Sequence, residues 1–184
     1  MTNICDPQRY LTFLLALRSL FDDHTLYTSQ LIIESLPIKQ PDADIIAGRL
    51  LQNPSDLYNL LAPIIGSQAA SSISHVFADH LKLAAETLAP LREGRQNDLN
   101  RAVCLFMKQG NDVAQVLASI NPNTLSLQDA QEMMRSHNEM VIQLAILRNQ
   151  NKYQEYIQLF DHYRQHLLTL ADTIFNALQA SNCR

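Results

Sequence analysis

The sequence predicts an all-α protein, an antiparallel helical bundle, on three observations. Apolar residues recur at spacings of three and four, no stretch alternates as a strand would, and Pro, Gly and Asn-rich breaks leave about six segments of helical length. The 184 residues are 47% hydrophobic and 17% charged, enough apolar material for a sizeable core and a poor match to disorder. A single domain over 1–184 suits that length, since one core commonly serves roughly 100–200 residues.

Asp6-Pro7 has the form of an N-cap followed by proline at the first helical position, and Leu11, Leu14, Leu17, Phe21, Thr28 and Leu31 repeat at helical spacing, so the first helix runs from 7 to about 35. Leu36-Pro37 and Pro41 break it. Asp42 starts a second helix with Ile45, Ile46, Arg49 or Leu50, Leu57, Leu60 and Leu61 inward, which Pro54 kinks or divides. Gly66-Ser67 precedes a third helix, with Ile73, Val76, Phe77, Leu81, Ala84 and Leu88 inward and fading near Glu93-Gly94. A fourth occupies about 95–120. After the turn Asn121-Pro122-Asn123-Thr124, Ser126 caps a fifth with Met133, Met134, Val141, Leu144 and Leu147 inward. An Asn/Gln-rich interruption at Arg148 to Lys152 reads as a turn. The sixth presents Tyr153, Tyr156, Ile157, Phe160, Tyr163, Leu167, Leu170, Ile174 and Leu178. A four-helix core with two peripheral helices is the alternative packing.

Lys and Arg number 14 against 18 Asp and Glu, a net charge of -4 with no basic stripe, which argues against nucleic acid as a partner. Polar residues interrupt every apolar run before the roughly 18–20 needed to span a bilayer, so membrane insertion is not expected. Leu11 to Leu20 imitates the core of a signal peptide but lacks a cleavage pattern and reads as an ordinary buried helix face. The cysteines are Cys5, Cys104 and Cys183, no disulfide framework, which points to a reducing, cytoplasmic setting, with Cys104 as a small core residue.

The six histidines carry the functional signal. At a rise of about 1.5 Å per residue, His24 lies roughly 26 Å along the first helix, while Asp56, His80 and Asp112 on the following antiparallel helices return to roughly 20–25 Å. His137, His162 and His166 fall in the same middle band. His24, His80 and His137 lie on apolar stripes, whereas His162 and His166, four apart, compete with Tyr163 and Leu167 for the inward face. Imidazoles and carboxylates from several helices suit a divalent transition metal (Zn, Fe, Mn or Ni), so the candidate ligands are His24, Asp56, His80, Asp112, His137, His162 and His166. Buried histidines hydrogen-bonded to Asp, Asn or backbone are the competing explanation. No His-Glu-x-x-His run, catalytic triad, phosphate loop or dinucleotide fingerprint is present, so no catalytic residue follows.

Leu20-Phe21-Asp22-Asp23-His24-Thr25-Leu26-Tyr27-Thr28 resembles the Leu-Trp-x-Asp-His-x-x-Trp-Thr-Arg pattern in the first helix of a family of small, mostly uncharacterised bacterial helical proteins, with Phe21 and Tyr27 for the tryptophans and Ser29 for the Arg. The resemblance extends through Arg49 to Asn53, the Asp56 region, Asp79-His80, Asn111 to Ala114, Asn121-Pro122, His137, His166 and Ala171-Asp172. It implies one helical domain and no assigned reaction. The architecture is also similar to metal-dependent helical bundles of the DNA-damage-inducible type, which use histidines from different helices. Two functions follow: a metal-binding bundle with an interhelical His/Asp site, or a noncatalytic structural or interaction bundle, forming a homodimer or binding a protein partner, whose core histidines are hydrogen-bonded.

Overall fold

The computed structural model describes residues 6–182, which form eight α-helices and no strand: α1 (Pro7–Ser35), α2 (Ala43–Leu50), α3 (Asn53–Ile65), α4 (Ser67–Glu86), α5 (Leu88–Arg92), α6 (Gln96–Ile120), α7 (Leu127–Asn149) and α8 (Tyr153–Asn182). The protein is an all-α helical bundle. The six segments read from the sequence are present, and two of them are divided. Pro54 lacks the N–H that a helix interior requires and instead heads α3, separating it from α2. Pro90 acts similarly beyond Thr87, whose hydroxyl donates to the Ala84 carbonyl at 2.7 Å as α4 gives way to α5.

The helix ends are set by local chemistry. The Asp6 carboxylate accepts from the Gln8 and Arg9 amides at 3.1 Å each, and the Ser126 hydroxyl accepts from the Asp129 amide at 3.1 Å. Asn151 stands at φ 59, a conformation usually given to glycine, and lets the Lys152 amide donate back to the Leu147 carbonyl at 2.9 Å. The interruption without Pro or Gly is therefore a tight turn between α7 and α8. Gly94, at φ 67, closes α5 in the same way, with the Arg95 amide donating to the Pro90 carbonyl at 3.0 Å.

Packing runs round a ring, α1 to α3 to α4 to α6 to α7 to α8 and back to α1. Two exposed ion pairs close it: Arg18 Nε donates to Asp172 at 2.6 Å and Arg164 Nε donates to Asp22 at 2.7 Å. Rising numbers on α1 meet falling numbers on α8, so the two helices are antiparallel. Inside the ring lie Leu17, Phe106, Leu144, Tyr163, Phe175 and Leu178, all fully buried.

One contact sets the distance between two walls. The Asn138 amide of α7 donates to the Phe106 carbonyl of α6 at 3.0 Å, over Gly110, where a Cβ would stand only 2.6 Å from Asn138 Nδ2. Several expectations fail on the faces of their helices, Leu11 on α1 and Tyr153 and Ile157 on α8 being exposed. Cys104 is exposed, because the buried stripe of α6 runs through Phe106, Gln109, Gly110 and Val113. Ile45 is exposed as well, α2 turning Ala43 and Leu50 inward. Cys5 and Cys183 lie outside the described residues. No helix among the described residues is long and apolar enough to cross a membrane.

Candidate functional site

Four histidines from four helices meet in the middle of the ring. His24 (α1), His80 (α4) and His137 (α7) are buried at 3%, 2% and 3% exposure, and His166 (α8) is half-buried. His137 is the hub: its ring centroid lies 5.3 Å from that of His80, 6.0 Å from His24 and 6.2 Å from His166. Phe77 packs on His24 at 5.4 Å, Phe106 on His80 at 4.8 Å and Tyr163 on His137 at 5.5 Å. An apolar stripe at the right depth on each helix is what delivers an imidazole to this layer.

One ring is oriented by a relay. The Gln109 side-chain amide donates to the Val76 carbonyl at 2.7 Å, which turns its oxygen toward His80. His80 Nδ1 donates to that oxygen at 3.0 Å, so the proton sits on Nδ1 and the lone pair on Nε2. His80 Nε2 is buried without a partner, and so are His24 Nδ1, His137 Nδ1 and His166 Nε2. Buried polar atoms are paired in the great majority of cases, so four bare ring nitrogens in one layer set it apart from an ordinary core.

Burial governs their protonation. Desolvation lowers His24 to about 3, with repulsion from His80 adding to it, and lowers His80 to about 4 against the opposing pull of Gln109. His137 is held well below the ordinary imidazole value by desolvation and then by its three histidine neighbours. His166 is also lowered by desolvation, a backbone hydrogen bond with Met133 opposing the shift. Desolvation raises the Tyr163 phenol, which stays protonated. The layer is thus a set of neutral imidazoles.

Two small cavities flank it, each lined by His24, His80 and His137. One, of about 20 Å³, has the Thr28 and Tyr163 side chains in its wall beside Leu31, Ile32, Leu81 and Phe106. The other, of about 40 Å³, is otherwise wholly apolar, with Phe21, Leu57, Phe77, Val113, Val116 and Leu117 among its lining residues. The buried hydroxyls of Thr28 and Tyr163 make no hydrogen bond of good geometry, but they neighbour each other closely enough for Thr28 to oppose the rise of the Tyr163 phenol.

Of the seven residues proposed from sequence, the structure brings His24, His80, His137 and His166 together and leaves Asp56, Asp112 and His162 exposed. Asp56 stands in the first turn of α3, 3.7 Å from Arg49, which also meets Asp23 at 3.3 Å and covers the Tyr27 ring at 4.6 Å. Asp112 lies on the face of α6 opposite the buried stripe, and His162 lies beside Tyr163, which takes the inward position. Gln109 was missed. Its signal was its spacing, three after Phe106 and four before Val113, on the stripe that Asp112 does not share.

A ring bound at roughly 2.0–2.1 Å through one nitrogen has its centroid roughly 3 Å from the ion, so tetrahedral ligands place neighbouring centroids roughly 5 Å apart. Separations of 5.3–6.2 Å come within about an ångström of that. The rings, however, lie side by side at interplanar angles of 26–37°. Among the described residues no three His, Cys, Asp or Glu donors already converge on one metal position. Turning the rings into the flanking cavities is the movement that convergence would require. Compared with known protein families, with curated proteins and with solved structures, the chain matches none.

Proposed function

We propose that the protein is a metal-binding helical bundle in which His24, His80 and His137, with His166 as a fourth donor, take one divalent transition ion. The observation that carries the reading is the Gln109 relay: an imidazole whose Nδ1 proton is committed to a fixed acceptor presents a bare, correctly tautomerised Nε2, which is how second-shell partners prepare metal ligands. The donor set fits. Neutral nitrogen ligands without a carboxylate favour Zn, Fe or Ni over Mn. The bundle would supply rigid walls and an apolar surround, and a reaction is not assigned. The resemblance to the small bacterial helical family is in keeping with this reading, since His24, His80, His137 and His166 fall within its segments.

The deciding measurement is elemental analysis of tag-free protein purified without added metal or chelator. About one ion per chain is expected, falling below about a tenth in His24→Ala and in His80→Ala, and unchanged in His75→Ala, whose exposed ring sits on the Ser71 carbonyl at 2.8 Å. Protein that is metal-free and takes up no Zn, Fe or Ni on dialysis would overturn the reading.

The side-by-side rings support a second reading, a noncatalytic structural or interaction bundle in which the histidines fix helix register. Ile38 and Ile45, 71% and 75% exposed around the α1–α2 connection, would then belong to a homodimer or protein-partner contact. Metal-free protein that is dimeric at micromolar concentration would favour it.

A further inference from the structure

Besides the stripe it buries, α1 carries a second one. Leu11, Leu15, Asp22, Leu26 and Ile33 follow one another at spacings of four, seven, four and seven, an eleven-residue period that keeps them in one line along the helix. The line lies on the outer side, with Leu11, Leu15 and Leu26 at 53%, 57% and 47% exposure. It also borders α8. Asp22 accepts from Arg164 at 2.7 Å, and Arg18, one turn before it, donates to Asp172 at 2.6 Å. Ile157, on the face of α8 that carries Arg164 two turns later, is 57% exposed and continues the apolar surface beside Leu26. The Ser29 and Tyr156 hydroxyls, hydrogen-bonded at 2.7 Å, hold that end of the seam together.

The seam is complementary to itself. One apolar cluster, Leu11 and Leu15, stands at one end and another, Leu26 and Ile157, at the other. Between them the charges on α1 alternate, Arg18 with Asp172 beside it and then Asp22 with Arg164 beside it. A two-fold axis crossing α1 at right angles near Leu20 brings Arg18 onto Asp22 of a second copy and Leu15 to the level of Leu26 of that copy. Opposite charges and apolar clusters are thus matched by one operation, the condition for an isologous contact, and this selects a second copy over an unrelated partner. Ser19, exposed at the crossing, is small enough for the two helices to approach closely. From Leu11 to Ile33 the stripe is about 33 Å long, and two helix diameters make it about 20 Å wide, so each copy buries roughly 650 Å², within the range of specific dimers at about 1,200–2,000 Å² for the pair.

We infer that the α1–α8 seam is a homodimer interface, with α1 of one copy packed antiparallel on α1 of the other about that axis. The inference goes beyond the metal-binding reading and does not depend on it.

The test is sedimentation equilibrium of the 184-residue chain, treated with chelator, across micromolar concentrations. A dimer is expected, and Leu15→Glu and Leu26→Glu should each weaken it at least about tenfold with an unchanged helical circular dichroism spectrum. Ile45→Glu, on the exposed side of α2, should leave it intact. A second measurement does not rely on those variants: in a chain carrying Cys5→Ser, Cys104→Ser and Cys183→Ser, Ser19→Cys should be joined to its own copy by a short bis-maleimide. Gln30→Cys, about 30 Å from its counterpart across the same axis, should not be joined. A monomer throughout, a dimer that survives either leucine substitution or that Ile45→Glu dissociates, or the absence of a Ser19→Cys crosslink overturns the inference. Because the protein is metal-free in this experiment, each of those results leaves the metal reading standing.

Discussion

His24 is an uncompensated side chain of the layer, with no hydrogen bond opposing its desolvation. Its Nδ1 is buried without a partner, and its neighbours in the two cavities are mostly hydrocarbon. Leaving a buried polar atom unpaired costs about 1–3 kcal/mol, and an apolar group of similar size removes that cost. His24→Leu is therefore expected to raise the stability of the metal-free protein by about 1 kcal/mol while abolishing metal uptake, a trade of function for stability. Urea denaturation in the presence of a chelator, beside elemental analysis, checks both halves. A variant that loses stability would mean that His24 makes a structural bond in solution. At this scale the sequence was informative where apolar neighbours fixed a direction: His24, His80 and His137 stand on stripes and are buried. Depth along a helix was a weaker guide, because each residue turns the side chain by about 100°. Asp56 and Asp112 reach the right level but face outward, and Gln109, three residues before Asp112, is the polar side chain of α6 that enters the layer.

The pairing of α6 with α7 depends on Gly110. A methyl group there would press on Asn138 Nδ2, and Asn138 cannot simply swing away because it donates to the Phe106 carbonyl. Gly110→Ala is expected to destabilise the protein by about 1–3 kcal/mol, the usual cost of overpacking, despite the better helix propensity of alanine. Its denaturation midpoint should recover in part in Gly110→Ala combined with Asn138→Ala. Unchanged stability in the single variant would remove the close approach as a constraint. Gln109 and His137 adjoin this contact, so the same pair of residues that spaces the helices also sets the level of the relay. Helix starts and stops were legible because Asp6, Pro54, Gly66 and Ser126 act locally. The spacing of α6 and α7 was not, since nothing near Gly110 in sequence announces its partner 28 positions later.

The whole molecule carries at least three fully buried neutral imidazoles, which makes its stability a function of pH. In the unfolded chain a histidine takes a proton near pH 6.5, whereas His24 and His80 in the fold resist it until about 3 and about 4. Below 6.5 the unfolded state binds more protons, so stability is complete above that pH and falls as the pH drops toward the folded values. Each such group costs about 1.4 kcal/mol per pH unit, and with His137 the three together cost about 4. Chelator-treated protein should accordingly show a sharply lower urea midpoint at pH 5.5 than at pH 7.5. Equal midpoints would mean that the histidines are solvated in solution.

The ring of helices is closed by its first and last members: Arg18 reaches Asp172 across 154 positions of sequence. A nascent chain emerging from the ribosome presents α1 long before α8 exists to cover it. Until synthesis reaches α8, His137 lacks both Tyr163 and His166, and the apolar flank of α1 has nothing to lie against. The histidine layer is thus assembled late in translation, and a polypeptide stalled before α8 would expose its interior to whatever chaperones attend it.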